Sequence, residues 1–249
     1  MRTTFPQELV DKVIDELVVL HSWQADFIAP YSLVSRSWVS HTRSYCFRRI
    51  YFSGLDDLKK WSERITPDPV GVSQYTRQLV LTEVDTLEGF EEHMRAFTRV
   101  NTVEIIRCGL LLSPSVAEWF APISSNLTQL DIRGSETTSR IITSLLARLP
   151  QLKSLVTWNF RVTEDAGAAN PVSRIPFFEG DNSLVLHGYC GRHGLLGPPD
   201  WIPPSARFGG LEINTTYFLS KGVAVNQWLS GSCTTLVSLS IDVHPDGEF

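Results

Sequence analysis

His187-x-x-Cys190-x-x-His193 is the one close spacing of metal-type ligands in this chain. Imidazole and thiolate suit zinc, but three residues are one short of a closed structural site, and no second pair follows at finger spacing. The expectation is that they are structural, with no metal and no cofactor. Gly191-x-x-Gly194-x-x-Gly197 spaces its glycines like a phosphate-cradling loop. No Lys-Ser/Thr ends it, and Pro198-Pro199 prevents the helix whose N-terminus would hold the anion. Neither Gly-x-Ser-x-Gly nor His-Glu-x-x-His occurs. Asp85, Glu88 and Glu91 read as a solvated helix face rather than paired catalytic carboxylates. The expectation is a protein that is not an enzyme. Arg36, Arg43, Arg48 and Arg49 form a basic cluster, either a solvated helix face or a contact for an acidic partner.

The elements that hold such residues must come from a chain of 249 residues, 43% hydrophobic and 20% charged, which is the composition of a globular protein with a core. A net charge of −5 gives no footprint for a nucleic-acid partner. No apolar run approaches the ~18 residues of a membrane span, so no membrane association is expected. Met1 leads directly into an acidic amphipathic segment rather than an apolar signal core. Cys46, Cys108, Cys190 and Cys233 are scattered, and read as buried thiols in a reducing, intracellular compartment, cytoplasmic or nuclear.

Short apolar alternations recur along most of the chain: Leu79-Val80-Leu81, Val103-Glu104-Ile105, Leu130-Asp131-Ile132, Leu155-Val156-Thr157, Leu184-Val185-Leu186, Leu211-Glu212-Ile213 and Leu239-Ser240-Ile241. Their starts lie 24 to 29 residues apart. Several carry another apolar residue three positions earlier, which is the L-x-x-L-x-L core of a leucine-rich repeat at its usual period. Helical periodicity between strands predicts helices over 87–97, 116–123, 138–149 and 223–229. The segments 163–181 and 188–205 are too rich in Gly, Pro and Ala for helix. With the leucines inward, alternation turns Glu104, Asp131, Arg133, Trp158, Glu212 and Asn214 outward along one strand face. An aromatic beside an arginine has the character of an interface anchor, so these six are the candidate target-binding residues.

At the amino terminus Pro6 suits a first helical turn and Glu8 its dipole. The apolar positions that follow make a stripe two residues wide, Leu9-Val13-Leu17 beside Val10-Ile14-Val18. One neighbour needs only about a 100° stripe, so a broad one serves two at once. Helical material then runs from about residue 26 to 51, interrupted at Pro30.

Phe5-Pro6-x-Glu8-Leu9-x-x-x-Val13-Ile14-x-x-Leu17, followed by Ser32-Leu33-Val34-Ser35-Arg36-Ser37-Trp38, resembles the F-box motif, in particular its divergent form in mushroom-forming fungi. The resemblance covers about residues 4–52. It implies a three-helix module that binds the Skp adaptor, and through it a cullin, with Pro6, Leu9, Ile14, Leu17, Leu33 and Trp38 at or near that interface. The repeat resembles the irregular leucine-rich array found behind many F-box modules.

The expected organisation is α/β: a three-helix F-box-like docking module over 1–52, a connecting segment over 53–75, and a leucine-rich-repeat-like curved array over 76–249. The array would carry a parallel sheet of about seven short strands. No polar capping unit follows the seventh strand, as in a truncated array. The expected function is substrate recognition for a cullin-RING ubiquitin ligase, with an unknown protein target. The alternative is an interaction scaffold without ligase association.

Overall fold

The computed structural model describes residues 6–20, 25–62, 71–163, 175–179, 181–187, 202–203, 205–214 and 237–242. In chain order the helical segment holds α1 (Gln7–Leu20), the single turn α2 (Ala25–Ile28), a 3-10 stretch (Ala29–Leu33) and α3 (Arg36–Cys46). There follow β1 (Arg49–Ser53), α4 (Gly54–Ser62), β2 (Gln78–Thr82), α5 (Glu91–Met94), β3 (Thr102–Ile106), α6 (Val116–Phe120), β4 (Gln129–Arg133) and β5 (Glu136–Thr138). The rest are α7 (Ser139–Ala147), β6 (Ser154–Trp158), β7 (Arg161–Thr163), β8 (Ser183–His187), β9 (Gly210–Asn214) and β10 (Ser238–Asp242).

The protein is α/β, and its main sheet is parallel. Eight strands lie side by side in the order β1-β2-β3-β4-β6-β8-β9-β10, which is chain order. All seven alternations in the sequence fall within these strands. The eighth, β1, is a correction: helix was expected to reach Tyr51, but α3 ends at Cys46 and Arg49–Ser53 pairs with β2. Phe52 and Ile50 explain it, since they alternate inward and are buried while Arg49, Tyr51 and Ser53 are exposed. The sheet therefore begins inside the segment expected to be purely helical, and the expected connector carries α4.

Register makes the core a pair of rows. The second strand positions align Ile50, Leu79, Val103, Leu130, Leu155, Leu184 and Leu211, and the fourth align Phe52, Leu81, Ile105, Ile132, Thr157 and Leu186. All thirteen are buried. Helical segments close over them with Met94, Phe120, Leu145 and Leu146 among the buried side chains. Phe52 meets Trp61, Phe90 and Phe97 edge to face.

Each of five strands ends in a left-handed residue: Gly54 (φ 73°), Glu83 (55°), Arg107 (52°), Gly134 (57°) and Asn159 (49°). The last four carry the ladder one bond further. Glu83 N–H donates to Ile106 O at 3.0 Å, Arg107 to Arg133 O at 2.7 Å, Gly134 to Trp158 O at 2.8 Å and Asn159 to His187 O at 2.9 Å. The chain then turns into the return segment, where β5 and β7 form a small parallel ladder of their own.

The return helices are shorter than the periodicity predicts. The helix expected over 87–97 is only Glu91–Met94, because Gly89 sits at φ 79° just before it. The one over 116–123 tightens to a 3-10 turn at Ala121, where Pro122 removes a donor. The one over 138–149 is α7, with Thr138 as its N-cap accepting from Ile141 N–H. The helix expected over 223–229 and most of 163–181 and 188–205 lie outside the described residues.

In the helical segment Val10, Ile14, Val18 and Ile28 form a second, smaller core, with Tyr31, Trp38, Tyr45 and Cys46 packed on it. Pro30 sits in the first turn of the 3-10 stretch, where its missing N–H costs nothing. Ser35 caps α3. Asp15 ties α1 to α3 by accepting the Tyr45 hydroxyl at 2.6 Å and lying 2.7 Å from His41 Nε2. Cys108 is buried as expected, whereas Cys46 is only half-buried. Among the described residues no helix is long and apolar enough to cross a membrane.

Candidate interaction surfaces

The two apolar rows of α1 part company. Val10, Ile14 and Val18 recur every fourth residue and are buried. In the neighbouring row Leu9 is 47% exposed, Val13 41%, and Leu17 is half-buried. The same segment leaves Phe27, Leu33 and Val34 in water, Leu33 to 86%. Single exposed apolar side chains are ordinary, but of the twelve large apolar side chains exposed among the described residues seven fall between Leu9 and Val34.

The residues expected at an adaptor interface therefore divide. Pro6, Leu9 and Leu33 are exposed; Pro6 O accepts from the N–H groups of Leu9 and Val10 and starts the helix. Leu17 and Trp38 are half-buried, Trp38 packing on the small core beside Tyr31. Ile14 has no accessible surface. That is a correction: its place in the i, i+4 row toward Ile28 assigns it to the interior, not to a contact.

The outward sheet face is built from the first, third and fifth strand positions. In the third row Glu104 and Asp131 face each other across β3 and β4. They were expected to project into solvent, and instead they are 7% and 4% exposed. Two carboxylates side by side and dry need counter-charges. Arg49 reaches Glu104 with one nitrogen 2.9 Å from both oxygens, and the Gln78 amide donates to the same carboxylate. Arg133 makes a fork on Asp131, its shortest bond 2.6 Å. That fork holds the Arg133 guanidinium even more firmly protonated than usual.

With Glu104 and Asp131 buried, the exposed part of the face is smaller than the set of six residues expected. Arg133 lies 6.0 Å from the Trp158 ring centroid, and Trp158, 44% exposed, stacks on His187 at 4.0 Å and 9°. His187 Nε2 lies 3.1 Å from Glu212 Oε1. The fifth-position register brings this about, since Arg133, Trp158 and His187 are cross-strand neighbours. At the β1 edge Arg49 covers the Tyr51 ring at 4.7 Å. Arg49 and Tyr51 are absent from the expected face because their segment reads as helix, and the alternation of buried Ile50 and Phe52 is the signal that finds them; Gln78 joins the face only through the register of β2 with β1.

His187 is thus engaged with an aromatic and a carboxylate. Its companions Cys190 and His193 lie outside the described residues, as does the side chain of Asn214. Among the described residues no three His, Cys, Asp or Glu side chains come together as a metal-holding group. Comparison of the chain with family models, with curated proteins and with solved structures finds no match in any of the three.

Proposed function

We propose that this chain is a substrate-recognition adaptor of a cullin-RING ubiquitin ligase, working inside the cell without catalytic groups of its own. Its amino-terminal helices form an F-box-like module that docks a Skp-type adaptor. The strand units, 24–29 residues from start to start, form an irregular leucine-rich array that holds a protein target within reach of the ubiquitin-transferring partners.

The observation that carries the reading is the split of α1 into a buried row and an exposed one. The buried row satisfies the module's own core. The exposed row, with Leu33 and Val34 exposed in the same helical segment, offers apolar surface worth about 25 cal/mol per Å² once covered. On the sheet, Trp158 with Arg133 supplies the rigid aromatic and cationic anchors typical of a target-binding centre.

Leu9→Asp with Leu33→Asp should abolish co-purification with a Skp-type adaptor while leaving thermal unfolding near that of the parent, because both side chains already face water. Ile14→Asp is no substitute, since it would place a carboxylate in the small core. Retention of the adaptor by the folded double variant, or no adaptor bound by the parent chain, defeats the docking claim and leaves an interaction scaffold without ligase association. Arg133→Ala with Trp158→Ala should keep the adaptor and lose the target by ~2 kcal/mol or more, about thirtyfold in affinity.

A further inference from the structure

A cleft of about 860 Å³ opens between the α1–α3 pair and the starts of β1 to β3. Four arginines line it, Arg36, Arg48, Arg77 and Arg99, against a single carboxylate, Asp11. Asp11 is already engaged: it accepts from Gln7 Nε2 at 2.7 Å and lies 3.7 Å from His41 Nδ1. In a chain of net charge −5 this is a local inversion of sign.

The backbone fixes the cluster. Arg48 and Arg77 immediately precede the paired residues Arg49 and Gln78, so they stand side by side at neighbouring strand starts, where strands are about 4.8 Å apart. Arg48 O accepts from Arg77 N–H at 2.8 Å and from Gln78 N–H at 3.0 Å. Arg77 O in turn accepts from Asn101 N–H at 2.9 Å, which brings Arg99, two residues earlier, to the same wall. Elsewhere Arg49, Arg107, Arg133 and Arg161 each face a carboxylate. Arg36, Arg77 and Arg99 make no ion pair among the described residues.

Burial chiefly, and then the charges of Arg99 and Arg48, lower the Arg77 pKa from its ordinary value. Like charges held together at an internal cost are stabilised by an anion that sits between them. Ser40, Ser44 and Thr102 line the same space, the last two donating to His41 O and Asn101 Oδ1, and buried Gln74 Nε2 at its wall has no acceptor. The wall therefore sets four guanidiniums and one unsatisfied amide N–H against a single carboxylate.

We infer that this cleft is an anion site for a ligand carrying two or more phosphate groups, bound by guanidinium forks from α3 and from the starts of β1 to β3. The volume exceeds what one phosphate fills, and several guanidiniums match several phosphates better than one carboxylate. The cleft shares no lining residue with either proposed protein-docking surface, and the inference does not rest on the ligase reading.

Inorganic tripolyphosphate, titrated into the full chain, should raise the melting temperature and bind saturably, whereas sodium chloride at matched ionic strength should not. A doubly phosphorylated peptide of otherwise neutral sequence is the second arm: binding there too means a peptide-borne phosphate, and tripolyphosphate binding alone means a small-molecule one. Arg77→Gln with Arg99→Gln should weaken binding at least tenfold without lowering the melting temperature of the unliganded protein, because like-charge repulsion is relieved. Should that pair fail to fold, Arg36→Gln, exposed at the start of α3, should still weaken binding severalfold. Arg43→Gln, on α3 but outside the cleft, should leave it unchanged. Equal shifts with chloride, no binding in either arm, or equal losses in the Arg43 and Arg36 variants would each overturn the inference.

Discussion

Glu104 keeps a carboxylate on the outward sheet face with a tenth of its side chain in water. It survives there because Arg49, 55 positions earlier in the chain, and Gln78 supply its donors. Arg49→Met should strand that charge and cost about 1–3 kcal/mol in urea unfolding. Adding Glu104→Gln should return part of the loss, and a double variant as unstable as the single one would show the two residues to be uncoupled. The Asp15–Tyr45 contact between α1 and α3 carries a pH dependence. The Tyr45 hydroxyl first, and His41 second, hold the Asp15 carboxyl below its ordinary 3.8, so its contribution is present above that pH and is lost as pH falls through the lower folded value. Burial, and then Asp15, push the Tyr45 phenol up to about 12, which keeps the donor protonated throughout. Tyr45→Phe should therefore cost ~0.5–1 kcal/mol at neutral pH, since Asp15 is half exposed. The gap between parent and variant should narrow below pH ~4; a gap independent of pH would assign the loss to packing instead.

At the scale of elements, the strands were legible and their ends were not. Alternation located seven strands because leucine and isoleucine at the second and fourth positions face one core. It failed for Arg49–Ser53, whose aromatic and basic residues also fit the tail of a helix. The left-handed turn after β1, β2, β3, β4 and β6 was hidden for a related reason. Gly54, Gly134 and Asn159 are residue types that favour such a turn, but Glu83 and Arg107 are not, and they hold it at φ 55° and 52° while pairing with each other at 3.2 Å. The counter-ions of Glu104 and Asp131 were hidden because they depend on register, which a single sequence specifies only through its apolar rows. Two outcomes follow from the turns. Gly134→Ala should cost roughly 1–2 kcal/mol, since the backbone there is at φ 57° and an added Cβ would lie 3.1 Å from Arg107 Cγ. Arg107→Gly should be neutral or stabilising by up to ~1 kcal/mol, as relief of the turn outweighs a surface ion pair. Thermal unfolding of the two variants in opposite directions would establish the turn as the common cause.

For the molecule as a whole, the large core is one run of side chains from Ile50 to Leu211, and the helical segment keeps a small core of its own. Leu130 lies between Val103 and Leu155 in the middle of its row. Leu130→Ala should cost about 2–5 kcal/mol by denaturant unfolding; a loss below 1 kcal/mol would mean the rows are not a continuous packed layer. Sheet order that follows chain order has a further consequence, and it concerns inheritance. Thr102 and Gln129 occupy the same register position on adjacent strands. A recombination between two gene copies at those points would remove residues 102–128 and set β4 against β2, leucine row to leucine row. The cross-strand row of Arg133, Trp158 and His187 would pass to the shortened descendant, while Glu104 would be lost with the excised unit and its partners Arg49 and Gln78 would stay behind on β1 and β2. A chain of this kind can change length by whole units and carry one patch forward while discarding another.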